Sequence, residues 1–174
     1  MQSDPSLTLP DDENLAEQYH TIRTSLIVAG FEHYEISNFC RPGKASQHNL
    51  AYWKSEPWLG LGASASGWLP PFRYTNPADL SSYYGNITSR HIQPDAMECS
   101  VQQTKADYIM MGLRLIKGID LFEYKEHFGT DLYLEKQAIA DRLISQGWLE
   151  LDFGHLSLSS AALFVSNTVI GELL

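Results

Sequence analysis

Two segments of this 174-residue chain hold side chains able to do chemistry. The first runs from Cys40 to Trp53 and gathers Cys40, His48, Tyr52 and Trp53 in a stretch interrupted by Pro42, Gly43, Ser46 and Asn49. Imidazole and thiolate are both ligands for iron and other transition metals, and tyrosine and tryptophan rings pack against flat apolar groups. The second segment, Trp58 to Trp68, begins apolar and dissolves into small residues. At Gly60, Gly62 and Ala63 the main chain can approach a flat or charged cofactor closely, because little side chain stands in the way. Glu35 and Arg73 add polar contacts, Arg73 through the bidentate geometry that guanidinium offers a carboxylate.

Each of these has a structural counterpart. His48 is equally suited to bonding the backbone of its own loop, with Asn49 in an asparagine turn and Trp53 filling a core. Cys40 is a lone thiol, and lone thiols are commonly inert. A glycine pair also serves tight packing, and Glu35 and Arg73 serve ordinary ion pairs. Cys40 and Cys99 are the only cysteines, far apart in sequence, so they form neither a disulfide framework nor a pair at metal-ligand spacing. No residue is assigned a catalytic role.

With 12 basic and 21 acidic side chains the net charge is -9, a field that repels phosphate backbones and anionic membrane surfaces. Nucleic acid is therefore not expected as a partner. No stretch approaches the roughly 20 apolar residues of a membrane span, and Asp4, Asp11, Asp12 and Glu13 stand where a leader would be basic then apolar. The expected location is the cytoplasm.

Pattern also gives the elements that hold these residues. Asp11 and Asp12 open a helix carrying Leu15, Tyr19, Ile22 and Leu26, and Gly30 ends it. Strands are predicted over 31–37 and over 58–62, separated by an aperiodic loop from Asn38 to Glu56. Residues 69–97 are proline-rich, with one short helix near Asp79 to Tyr84, and a domain boundary is placed near Asp95. Beyond it, three helices are expected: one with Tyr108, Met111 and Leu115; a short one from Leu121 to Phe128; and one with Leu134, Ala138 and Leu143. Gly118, Gly129 and Gly147 stop them. A hairpin turns at Gly154, and Ser159 or Ser160 caps a final helix. Helices, hairpin and closing helix together look winged-helix-like. From 99 to 174, however, six basic side chains face ten acidic ones, and a helix that enters a DNA groove concentrates Arg and Lys.

The ordered segments Tyr34-Glu35-Ile36-Ser37-Asn38-Phe39, His48-Asn49-Leu50-Ala51-Tyr52-Trp53 and Leu59-Gly60-Leu61-Gly62-Ala63 resemble the radical S-adenosylmethionine family of anaerobic coproporphyrinogen oxidases and heme chaperones, nearer its chaperone branch. The resemblance continues through Met111-Gly112-Leu113-Arg114, Lys117-Gly118-Ile119-Asp120 and Phe164-Val165-Ser166-Asn167, and so covers nearly the whole chain. The family usually has Thr and Gly where this chain has Ser159 or Ser160 and Ala162.

The resemblance implies an α/β fold made of the last strands of an incomplete TIM-like barrel in 1–95, plus an α+β, winged-helix-like accessory domain in 96–174. It also implies heme or a porphyrin as ligand, with His48 or, in reserve, Cys40 on the iron and Tyr52 and Trp53 on the ring. S-adenosylmethionine and a 4Fe-4S cluster are implied for the intact family member, Gly60, Gly62 and Ala63 facing the former. The family's cluster is held by three cysteines spaced C-x3-C-x2-C, which this chain does not contain, so it is not expected to cleave S-adenosylmethionine alone. The partners implied are a cysteine-bearing N-terminal radical half and a heme-accepting protein. Two alternatives stand beside the chaperone: a fragment of a porphyrinogen-oxidising enzyme, and a non-catalytic winged-helix interaction module.

Overall fold

The computed structural model describes residues 10–90 and 96–174. The boundary placed near Asp95 lies outside them. Helix α1 (Asp12–Val28) starts where expected: Asp11 caps it by accepting from the Asn14 N–H at 2.9 Å, and Gly30 follows its end at φ +82°. Its apolar stripe does not become core, however. Tyr19 reaches inward, its hydroxyl donating to the Ile36 carbonyl at 2.9 Å, while Leu15, Ile22 and Ile27 stay exposed.

The segment read as one strand over 31–37 is a hairpin. Strand β1 (Glu32–Glu35) turns at Ile36–Ser37 into antiparallel β2 (Asn38–Cys40). The stretch read as an aperiodic loop therefore begins as strand, and it later forms helix α2 (Gln47–Trp53). Seven residues are too few for a visible 3.6 period, but the Ser46 side chain accepts from the Asn49 N–H at 3.3 Å and starts the turn.

Residues 58–62 are not a strand. Trp58 alone bridges to Trp68, and residues 59–65 form an irregular loop. The strands lie instead in the proline-containing region: β3 (Ser66–Leu69), β4 (Phe72–Thr75) and β5 (Met97–Glu98) pair antiparallel in that order, with Pro70-Pro71 in the β3–β4 turn and helix α3 (Leu80–Thr88) between β4 and β5. Gly67 is required here, since a Cβ on it would lie 2.2 Å from the Tyr74 ring.

Helix α4 (Val101–Gly112) opens with a reciprocal capping box between Ser100 and Gln103. After Gly118 come β6 (Ile119–Asp120), unforeseen because it is two residues long, and helix α5 (Leu121–Phe128), closed by left-handed Gly129. The single third helix is two pieces, α6 (Leu132–Glu135) and α7 (Gln137–Ser145), broken at Lys136 with φ -113°. Strands β7 (Leu149–Asp152) and β8 (His155–Leu158) form the expected hairpin through Phe153 and Gly154, both at positive φ.

The last helix, α8 (Ser166–Leu173), begins after Val165 and has no side-chain cap. Ser159 is used otherwise: its Oγ donates to the Gly147 carbonyl at 2.6 Å and accepts from the Ala162 N–H at 3.3 Å, tying α7's end to the β8 exit.

The whole is mixed α/β: three small antiparallel sheets among the described residues, with no closed barrel. One core holds it, from Ile109 and Leu113 of the α4 region through Tyr124, Leu143 and Leu156 to Leu173, joined from the first half by buried Ile36 and by Tyr19 packed against it. The β1–β2 hairpin docks on that unit by backbone: Ile36 N–H donates to the Arg114 carbonyl at 3.0 Å, and Ile116 N–H to Tyr34 at 3.2 Å. None of the described helices is long and apolar enough to cross a membrane.

Candidate functional site

Helical spacing splits the His48–Trp53 motif between two faces. Positions i and i+4 stack on one side, so His48 meets Tyr52 edge-on with ring centres 4.9 Å apart. The adjacent side carries Asn49, whose Nδ2 donates to the Tyr34 hydroxyl at 3.4 Å, and Trp53, whose ring lies under the Arg114 guanidinium at 4.8 Å. The structure therefore groups His48 with Tyr52 and separates both from Trp53.

Tyr52 continues the aromatic line. Its ring meets Trp58 at 4.8 Å, and both line an open cavity of about 150 Å³. Trp68 and Pro70 of the β3–β4 sheet, and Tyr108, Met111 and His127 from α4 and α5, complete it. Among the described residues its one permanent cation is Arg73, which pairs with Asp107 at 2.9 Å and lies 5.5 Å over the Trp68 ring. His127 stacks on Tyr108 at 5.9 Å and stands edge-on to Phe128 at 4.5 Å. Aromatic walls with a few placed polar groups are the usual make-up of a small-molecule site.

His48 is exposed and touches the cavity only through Tyr52. Cys40 is buried in β2, where its Sγ donates to Glu32 Oε2 at 3.8 Å, and it does not line the cavity. Trp53 lines a second cavity with Asp120, Glu123 and His155. Glu35 is fully buried at 0% exposure, with Oε1 bonded to Asn38 and Oε2 without a partner among the described residues. Trp53 Nε1 and Arg114 Nε are likewise buried and unpaired.

The glycine loop is stitched to its own sheet. The N–H groups of Gly60 and Gly62 donate to the Tyr74 and Tyr83 hydroxyls, each at 3.0 Å, and Asn76 Nδ2 donates to both of their carbonyls. A Cβ on Gly60 would lie 2.5 Å from the Ser66 backbone, whereas Gly62 faces open space. Packing thus accounts for Gly60, and the amide that Gly62 would offer a ligand is already used.

The cleft residues Trp58, Trp68, Tyr108, Met111 and His127 were not singled out as a site from sequence. They come from three separate segments, so no window shows them together; the only local sign is the density of aromatic residues near 108 and 128.

Residues 106–165, the segment that supplies Asp107, Tyr108, Met111 and His127, match the family model of the HemN C-terminal domain. The chain is homologous to the C-terminal region of HemW and HemN proteins. Heme chaperone HemW of Bacillus subtilis is 28% identical over 97% of this chain, and HemW of Lactococcus lactis is 30% identical over 97%. A mouse mitochondrial protein, radical S-adenosyl methionine domain-containing protein 1, is 29% identical over 97%. The fold is that of Escherichia coli coproporphyrinogen III oxidase HemN, a radical SAM enzyme, with a TM-score of 0.67 over 95% of this chain at 13% identity. The chain spans less than half of each: 45% and 44% of the two HemW proteins, 41% of the mouse protein and 42% of the HemN chain.

Proposed function

We propose that this chain is the heme-handling C-terminal portion of a radical S-adenosylmethionine heme chaperone, binding heme and passing it on. The observation that carries this reading is the line from an exposed imidazole, His48, through Tyr52 to Trp58, which leads into an aromatic cleft. Heme presents a large flat apolar face, an iron that accepts imidazole, and carboxylates at one edge. His48 is the proposed iron ligand, Tyr52 a ring contact, and Arg73, the cation lining the cleft, a partner for a propionate. An exposed ligand suits a carrier, because a partner must be able to replace it.

Trp53 enters as the anchor that holds α2 against Arg114. Cys40, turned into its hairpin, is a reserve ligand that would need the hairpin to open. In the same reading, 1–95 provide the last part of a barrel-type domain and 96–174 a winged-helix-like accessory domain. Gly60, Gly62 and Ala63 would contact a cofactor only through the open side at Gly62. Cys40 and Cys99 do not make the three-thiolate set of an iron–sulfur cluster, so no cluster or S-adenosylmethionine step is assigned to these residues.

Hemin titration of the chain, read at the Soret band, tests this. Saturable binding is expected, weakened by about tenfold or more in His48→Ala and unchanged in Cys40→Ala. No saturable binding, or loss only in Cys40→Ala, contradicts it.

A further inference from the structure

We propose that α1 is held to the β1–β2 hairpin by a pH-sensitive clasp in which His33 must be neutral, and that mild acid loosens the second half of α1 while the hairpin stays docked on the C-terminal unit.

Four groups make the clasp. Tyr19 and Arg23, one helical turn apart on α1, both reach the hairpin. Arg23 Nε donates to His33 Nδ1 at 3.3 Å. A guanidinium has only donors to offer, so this bond fixes the tautomer: Nδ1 keeps its lone pair, and the ring proton sits on Nε2, which donates to the Ile36 carbonyl at 3.2 Å. The Tyr19 hydroxyl donates to the same carbonyl at 2.9 Å. Phe39 stacks on the imidazole at 4.1 Å and orients the ring. A second proton on His33 would occupy the Nδ1 lone pair. The Arg23 bond is then lost, and two positive groups face each other where a donor met an acceptor. Tyr19 does not depend on that proton, so α1 is loosened from Arg23 toward Val28 rather than released. The hairpin keeps its place because its turn is tied on the other side, where the Ile36 N–H donates to the Arg114 carbonyl at 3.0 Å.

The surroundings set where the clasp opens. From α1, Tyr19 and Arg23 face the ring; Glu35 is the charged group of its own strand, and β2 presents the uncharged Phe39. Burial disfavours the imidazolium most, the Ile36 carbonyl works against that, Arg23 disfavours the charge further, and Glu35 favours it; together they lower the His33 pKa from the ordinary histidine value. A lowered histidine pKa means that the folded state prefers the neutral ring. The contribution of the clasp is therefore complete above about pH 6.5 and is lost as pH falls to and through the lower folded value.

The test follows the full chain by NMR and amide hydrogen exchange from about pH 8 to about pH 5, with circular dichroism establishing that each variant is folded. The His33 ring is expected to titrate below the exposed His20. Exchange protection from Arg23 to Val28, corrected for intrinsic rates, should fall by about threefold or more with the His33 midpoint, while α7 and β8 stay within about twofold. His33→Gln, which offers an acceptor and a donor but does not titrate, should keep the protection of α1 flat with pH. Arg23→Ala should lower that protection already at neutral pH, remove its pH dependence and raise the His33 midpoint. His20→Gln, which removes the imidazole edge-on to Tyr19 at 5.8 Å, should leave the transition in place. Protection of α1 that does not change with pH in the unmodified chain overturns the proposal. So does a transition that persists in His33→Gln or in Arg23→Ala, or one that disappears in His20→Gln.

Discussion

Gly118 sits at φ +73°, and a Cβ there would lie 2.2 Å from the Leu156 carbonyl oxygen and 2.6 Å from Ser157. The clash is with backbone of β8, which cannot swing away as a flexible side chain would. Gly118→Ala is therefore expected to lower stability by about 2 kcal/mol or more, left-handed strain and steric clash acting together. Gly43, also at positive φ but with nothing within 4 Å, provides the control: Gly43→Ala carries the conformational strain alone and should cost less in the same urea melt. Residue chemistry was legible at this scale: the turn glycines and the His48–Tyr52 pair are visible in the sequence. Direction was not legible, because whether Trp53 points with His48 or away depends on α2 being helical.

At the scale of elements, the starts of α1 and α3 were read at their capping residues, Asp11 and Asp79, whereas Ser46, Ser100, Asp120 and Asp131, which cap α2, α4, α5 and α6, were not singled out, and α2 was missed altogether. The misplaced start of α8 is a helix with no side-chain cap, and of the missed strands β5 and β6 are two residues long, β2 is three, and β3 and β4 flank prolines. Asp120 carries the firmest prediction here. Its Oδ1 accepts from Glu123 N–H at 3.1 Å and Phe122 N–H at 2.9 Å, and His155 Nε2 lies 3.5 Å from Oδ2. The bond from Glu123, then that from Phe122, and then the electrostatic influence of His155 and Lys117 hold its carboxyl below the ordinary range. A depressed pKa stabilises the fold fully above the unfolded value of about 3.9, and that contribution is lost as pH falls through the lower folded value. Asp120→Ala should cost about 1 kcal/mol at pH 7, and the gap to the unmodified chain should narrow steadily as urea melts are taken below about pH 4. A gap independent of pH would mean that the charged carboxylate is not what caps α5.

Across the described residues, the core runs from Ile109 to Leu173 and takes from the first half buried Ile36, with Tyr19 packed against it. Periodicity made that second half readable, since its apolar positions close on one another. The first half was harder because α1 leaves Leu15 and Ile22 exposed and its sheets are short, so pattern and burial part company there. We propose that 96–174 fold independently of 1–95. Expressed alone, this fragment should give a cooperative thermal transition below that of the full chain, and Ile36→Ala in the full chain should reproduce part of the drop. A fragment without a cooperative transition would show that the β1–β2 hairpin is an integral part of the fold. The central claim concerns heme, and it is tested most directly by transfer: the chain is loaded with hemin, freed of excess, and mixed with an apo heme protein of higher affinity, with the acceptor's Soret band followed in time. Stoichiometric loading followed by complete transfer, faster than release into buffer and slowed by adding more unloaded chain, is the predicted result. Failure to load, or a hemin-loaded chain that never gives up its ligand, would contradict it.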